Sequence, residues 1–211
     1  DLNEPVLFID ASRNFIKAGK QNALQEKDIA KIVDVYTNRT EEDGYSHLAS
    51  RQELIQNDYN MNIPRYVTAL DKEIPHDVDA HLYGGIPKKN IDSLMVLNKT
   101  VKEVLDNAFS ENRPGYLTLH QSIEEFSRAI LSSPVVRAEY EQVQSTIAAF
   151  IEEYWTKLHR LQTETNTRLL KEEMLADIKK CLSQFDQIDI YEGYQIIAEI
   201  WTKTLSHDAE L

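Results

Sequence analysis

The spacing of apolar positions changes character along the chain, from short strand-like runs to long helical stripes. Val6-Leu-Phe-Ile9 is an unbroken apolar run, the pattern of a strand buried on both faces as in a parallel sheet. After a polar loop, Ile29, Ile32, Val33 and Tyr36 fall at i, i+3, i+4 and i+7, which predicts a helix near 25–38. Residues 45–49 have strand composition. Ser50 and Glu53 have the spacing of a capping box, so a short helix is expected to begin there. Residues 63–67 predict a third strand, which Pro64 confines to an edge or a strand end. Residues 77–83 predict a short helix ended by Gly84 and Gly85, with Pro87 in the first turn of the next.

From about residue 88 the pattern is helical. Ile91, Leu94, Met95, Leu97, Val101 and Leu105 form one stripe, and the segment 112–115 breaks it. Ile123, Phe126, Ile130 and Leu131 form another. Ser133-Pro134 is an N-cap followed by proline, opening a long helix to about 162. Its Tyr140, Val143, Ile147, Phe150, Tyr154, Leu158 and Leu161 come close to a seven-residue repeat. Further helices are expected over 167–184 (Leu170, Met174, Ile178, Cys181, Leu182) and 190–205 (Tyr194, Ile197, Trp201, Leu205). The predicted organisation is an α/β module over 1–70, a connector over 71–90 and a mostly helical domain over 91–211. Three short strands make only part of a sheet, and an apolar strand so near the start expects a neighbour. The prediction is either an exposed apolar edge or a small rearranged sheet.

Charge narrows the function classes. The net charge is -12, and 134–211 hold 14 acidic against 8 basic residues. Such a surface repels a phosphate backbone, which argues against this chain being the main grip on DNA. No apolar stretch approaches the length of a membrane span. The lone Cys181 has no disulfide partner and lies on an apolar stripe, which fits packing in a reducing cytosol. The chain opens at Asp1 without a Met and reads as the back end of a longer protein.

The loop after the first strand carries Asp10, Ser12, Arg13, Lys17, Lys20, Gln21 and Asn22. In a parallel sheet that loop lies on the ligand side. Arg13, Lys17 and Lys20 then suit phosphates, and Gln21 and Asn22 suit base edges; the alternative is a solvated loop. Asn57-Asp58-Tyr59-Asn60 offers an aromatic that could stack on an extruded base, although plain turn chemistry explains it better. His76, Asp77, Asp79 and His81 read as a capped helix start rather than a metal site. His47, His120, His159 and His207 show no catalytic spacing. The helix 134–162 either packs within a bundle or docks on a partner through Tyr140, Val143, Ile147 and Tyr154. Its acids (Glu139, Glu141, Glu152, Glu153, and Glu164 just beyond) favour a basic or mixed partner.

Val6-Leu-Phe-Ile-Asp-Ala-Ser12, Lys20-Gln-Asn22, Asp28-Ile-Ala-Lys-Ile-Val33 and the Asn57–Val67 block together resemble the modification (M) subunit of type I restriction-modification systems, an adenine-N6 DNA methyltransferase. Asp77-Val-Asp-Ala-His-Leu82 with Gly84-Gly-Ile-Pro87, Ile188-Asp-Ile-Tyr-Glu-Gly-Tyr-Gln195 and Trp201-Thr-Lys-Thr204 resemble segments of longer members. The resemblance implies a small remnant of a doubly wound methyltransferase sheet followed by a mostly helical domain. It implies S-adenosylmethionine as the parent's cofactor and cytoplasmic DNA as its substrate. It implies partners too: a specificity (S) subunit, a second M subunit and a restriction (R) subunit, with DNA reached through the full assembly and no membrane. The family's Asp-Pro-x-Cys-Gly-Ser-Gly type cofactor loop and its Asn-Pro-Pro-Phe/Tyr tetrapeptide are absent from the 211 residues. The chain alone is therefore expected to bind no cofactor and to be inactive. The alternative is a complete, non-enzymatic helical interaction module.

Overall fold

A computed structural model describes residues 4–68, 77–97, 101–161 and 166–206. His76, Glu164 and His207 lie outside the described residues, as does the opening part of the 71–90 connector, 71–76. The fold is mixed α/β with small antiparallel sheets. Two compact units divide it: 1–72 with 162–211, and 73–161. The last two helices therefore group with the α/β module, whereas the expected boundaries place them in a helical domain beginning at 91.

In the first unit, β1 (Val6–Ile9) pairs with β4 (Ser46–Ala49) in a two-stranded antiparallel ladder, with Phe8 opposite His47. Among the described residues β1 has this one antiparallel neighbour and its other edge is unpaired, in a small two-stranded sheet. Ser50 caps α2 (Arg51–Gln56) by accepting from the Glu53 N–H, as its spacing predicts. The third strand does not form. Residues Ile63–Arg65 make a 3-10 turn with Pro64 in its first positions. Proline cannot donate to a ladder but suits the start of a helical turn. The turn carries Tyr66 and Val67 into a core with Phe8, Ala49 and Leu54. Phe8 and Tyr66 stack with ring centroids 3.9 Å apart, and the Tyr66 hydroxyl donates to the Asn60 carbonyl at 2.8 Å. The opening block and the Asn57–Val67 block therefore share one core.

Helix α1 (Glu26–Asn38) forms where its periodicity places it, but it is turned the other way. Asp28, Ala30 and Val35 are buried, while Ile29, Val33 and Tyr36 are 47%, 53% and 69% exposed. The inward side meets α9 (Ile190–Ile200) and the end of α8 (Thr167–Leu182) through polar groups. Lys179 Nζ donates to Asp34 Oδ2 at 2.7 Å, the Tyr191 hydroxyl donates to the same oxygen at 3.1 Å, and the Lys27 N–H donates to Gln195 Oε1 at 3.1 Å. Lys31 pairs with Glu42 at 2.8 Å and sits 4.2 Å from the centroid of Tyr45. Helices α8 and α9 pack on each other through Leu170, Met174, Leu175, Ile178 and Leu182. Gly193 permits this approach, since a Cβ there would lie 2.2 Å from Leu182 Cδ1. A π-helical turn, Trp201–Leu205, follows α9 and buries Trp201.

The second unit opens with α3 (Val78–Tyr83), capped by Asp77, whose carboxylate accepts from the Ala80 N–H at 2.9 Å. Gly84 ends it at φ 72°. The helical stripe expected from 88 to 111 is interrupted. Helices α4 (Lys88–Leu97) and α5 (Lys102–Ala108) give way to a hairpin of β6 (Phe109–Arg113) and β7 (Tyr116–Leu119), turned at Gly115, where φ is 81°. The two-residue β5 (Ile86–Pro87) completes a sheet in the order β5-β7-β6. The break read at 112–115 is the turn of this hairpin. Arg113 fastens α3 to it: the guanidinium lies 3.3 Å from the Tyr116 centroid and donates to the Asp79 and Gly84 carbonyls. Helix α6 (Ile123–Ser132) has a full capping box between Ser122 and Glu125, and α7 (Pro134–His159) comes next.

Candidate nucleic-acid interface and helix faces

The segment after β1 folds as a second hairpin. Strands β2 (Ile16–Ala18) and β3 (Gln21–Ala23) pair antiparallel across the two-residue turn Gly19-Lys20. Gly19 has φ 64° and Lys20 does not have positive φ, the pattern of a type II′ turn with glycine in its first position. Lys17 stands opposite Asn22, and its Nζ donates to Asn22 Oδ1 at 2.8 Å. The same ammonium lies 5.4 Å from the Phe15 ring. Ile16, with Leu24, lines a cleft of about 390 Å³ shared with Ala198 and Thr202 of the C-terminal helical segment. The pleat thus puts Lys17 and Asn22 on one side of the hairpin and Ile16 and Gln21 on the other, with Lys20 at its tip. Of the five residues read as DNA contacts, the structure brings Lys17 and Asn22 into contact, leaves Lys20 at the turn, and puts Gln21 on the side away from Lys17 and Asn22. Arg13 lies ahead of the hairpin in the field of Asp10. Hydrogen bonds from Ser12 are the main reason that the Asp10 carboxyl is held below its ordinary range, and the charge of Arg13 adds to them.

The local charge contrasts with the total. Residues 11–25 hold Arg13, Lys17 and Lys20 and no carboxylate, in a chain of net charge -12. Among the described residues no carboxylate forms an ion pair with Lys17 or Lys20. At the base of the hairpin, Glu199 is matched by Lys203 at 2.6 Å and Glu26 by Lys171 at 3.9 Å. The residues after β1 form a hairpin, not a glycine-rich turn opening a helix, so they do not supply the cofactor loop that the resemblance implies.

The remaining candidates fall into turn, packing and surface roles. Asn57 to Asn60 wrap the end of α2: the Tyr59 N–H donates to the Leu54 carbonyl at 2.8 Å, and Asp58 and Tyr59 both have positive φ. Tyr59 is exposed on this turn. Cys181 is half-buried on α8. On α7, Tyr140 and Ile147 are exposed, Val143 is half-buried, and Tyr154 is interior at 1% exposure. Ile151 and Trp155, missed in the sequence, continue the exposed stripe at steps of four.

His47 is a further group that spacing did not reveal. Its Nε2 lies 3.0 Å from both Glu53 carboxylate oxygens, and its Nδ1 is paired with Glu41. The hydrogen bond to Glu53 raises its pKa above the ordinary histidine value, and Glu41 adds to the effect. The polar inward side of α1 was also missed, although Lys27, Lys31 and Asp34 fall at i, i+4 and i+7. Within it, burial pushes the Tyr45 hydroxyl up to about 12, and burial likewise raises Tyr191.

Comparison with known proteins bears on the same segments. The profile of the N-6 DNA methylase family matches residues 1–74. The MjaVII methylase subunit of a type I restriction enzyme, from Methanocaldococcus jannaschii, is 36% identical over 104 residues, 48% of this chain and 16% of that subunit. The MpnII methylase subunit of a type I restriction enzyme, from Mycoplasma pneumoniae, is 27% identical over 106 residues, 50% of this chain and 17% of that subunit. The matched stretch thus spans about one sixth of those relatives. A solved methyltransferase subunit of a type I restriction-modification system from Streptococcus thermophilus is 48% identical over 32% of this chain and 14% of its own, with a TM-score of 0.31. No described helix is long and apolar enough to cross a membrane. The chain is similar to the modification subunits of type I restriction-modification systems, and the N-6 DNA methylase match falls on its α/β module.

Proposed function

We propose that this chain is the closing part of a type I modification subunit, completing the sheet of the catalytic domain and supplying helices for subunit assembly. One observation carries the reading: α1 turns Ile29, Val33 and Tyr36 outward. An apolar helix side of this kind stabilises a domain only against another layer, such as the face of a doubly wound sheet. β1 has a central-strand composition but a single paired neighbour among the described residues, which supports the same reading. The parent would transfer a methyl group from S-adenosylmethionine to adenine N6 in cytoplasmic DNA. The cofactor loop and the Asn-Pro-Pro tetrapeptide are absent from this sequence, so the chain alone would neither bind the donor nor methylate. The stripe Tyr140, Ile147, Ile151 and Trp155 on α7 suits a partner helix, and the S subunit is the proposed occupant, within an assembly that also holds a second M subunit and the R subunit.

The test is complementation. A type I methylase portion carrying the cofactor loop and tetrapeptide, but lacking this region, is co-expressed with an S subunit, with and without the 211-residue chain. Adenine methylation that requires the chain is the expected result. Full methylation without it, or calorimetric binding of S-adenosylmethionine by the chain alone, overturns the proposal.

A further inference from the structure

We infer that the β2–β3 hairpin is a DNA-backbone contact in which Lys17 and Lys20 donate to phosphates, with Asn22 as the residue that positions Lys17. The inference rests on the DNA-methylase reading above and adds to it which residues touch DNA and what they read.

Three observations lead there. First, the hairpin is a cationic island in an acidic chain, and Glu26 and Glu199, which line the same cleft as Ile16 and Leu24, have lysine partners of their own. Second, the two lysines are presented rather than consumed. Lys17 is held by the neutral Asn22 amide, which leaves its full charge and its other ammonium hydrogens available, and Lys20 sits at the apex of the turn. By contrast, Arg13 shares the field of Asp10, and the exposed Lys88 and Lys89 of the second unit share a cleft with Asp77 and Asp92. Third, the turn is geometrically fixed. Gly19 occupies the left-handed region that a two-residue hairpin turn of this kind demands, so the tip projects Lys20 without a side chain beside it.

The chemistry that matches is a polyanion with regularly spaced phosphates. An ammonium is a compact point charge that reads phosphate and carries little base information. The hairpin is therefore expected to contribute affinity without sequence preference. That division of labour is consistent with target choice residing elsewhere in the assembly.

The experiment is a titration of the isotopically labelled 211-residue chain with a short DNA duplex at low salt, followed by amide chemical shifts. Expected are shifts confined to residues 12–24, weakening as salt rises and equal for duplexes of unrelated sequence. Lys17→Ala and Lys20→Ala should each lower the slope of log affinity against log salt by about one unit. Asn22→Ala should weaken binding less than Lys17→Ala and leave the slope unchanged, since it frees the lysine without removing its charge. The double variant Lys17→Glu/Lys20→Glu should abolish the shifts, and Lys88→Glu/Lys89→Glu should not. Shifts centred on Lys88 and Lys89, stronger binding of an RNA duplex of the same sequence, or no shifts at all each overturn the inference. Complementation is read separately. A silent titration with intact complementation sinks the hairpin alone, and the converse sinks only the assembly reading.

Discussion

Helices α1 and α8 belong to the same unit and each carries apolar residues at helical spacing, yet they use them in opposite ways. α8 buries its stripe: Leu170, Met174, Leu175, Ile178 and Leu182 all lie in the interior against neighbouring helices. α1 leaves Ile29, Val33 and Tyr36 outside and meets α8 and α9 with Lys27 and Asp34. Periodicity reports that a helix has an apolar side. It does not report whether the layer that covers that side is present in the same chain. α8 finds its cover within these residues, and α1, on the proposed reading, finds it in the rest of the modification subunit.

The largest effect should come from the covered side. Ile178→Ala removes a side chain that is almost wholly buried, and a cavity of that kind costs about 2–5 kcal/mol. Urea unfolding followed by the fluorescence of Trp201, which is buried in the same unit, measures it in a Trp155→Phe background. A loss well below 1 kcal/mol would mean that α8 is no better packed than α1, and the contrast would disappear.

A smaller, pH-dependent effect sharpens the picture of the α/β module. The Glu41–His47–Glu53 bridge ties the turn after α1 to β4 and α2. The pKa of His47 is raised in the fold, so protonated His47 stabilises the native state fully below the ordinary histidine pKa of about 6.5. The contribution fades as pH climbs through the raised value. All three side chains are partly exposed, so its size should be about 1 kcal/mol or less. Wild type should exceed His47→Gln in stability near pH 5.5 and converge with it towards pH 8. A difference that stays constant over that range would show that the bridge is carried by neutral hydrogen bonds.

These contrasts also mark what could be read from residues alone. β1, α1, α2, α3, α7, α8 and α9 stand within a few residues of where spacing and capping signals put them, because such signals are local. The failures are tertiary. Residues 63–67 have strand composition, but Pro64 and the stacking of Tyr66 on Phe8 draw them into a turn. The β6–β7 hairpin was hidden because Phe109, Leu117 and Leu119 alternate too briefly to stand out from the helical stripes on either side. For the hairpin site, the residue types were legible, but which of them share a side depended on the register Lys17 to Asn22. The His47 bridge joins residues six apart on either side, and no helical or strand period connects them.

The smallest predicted effect is the most informative about α1. Val33→Ser and Tyr36→Ser together replace apolar surface that already faces water in this chain. Away from buried features, surface changes of this kind shift stability by no more than about 0.5 kcal/mol each. The urea midpoint should therefore barely move, and solubility should rise as an exposed apolar patch shrinks. In the complementation assay the same double variant should lose function, because the covering sheet would meet two hydroxyls where it expects an apolar side. A variant that loses more than about 1 kcal/mol on its own would mean that α1 buries this stripe within the 211 residues. A variant that keeps both its stability and its complementing activity would mean that nothing covers the stripe, and the case for sheet completion would fall with it.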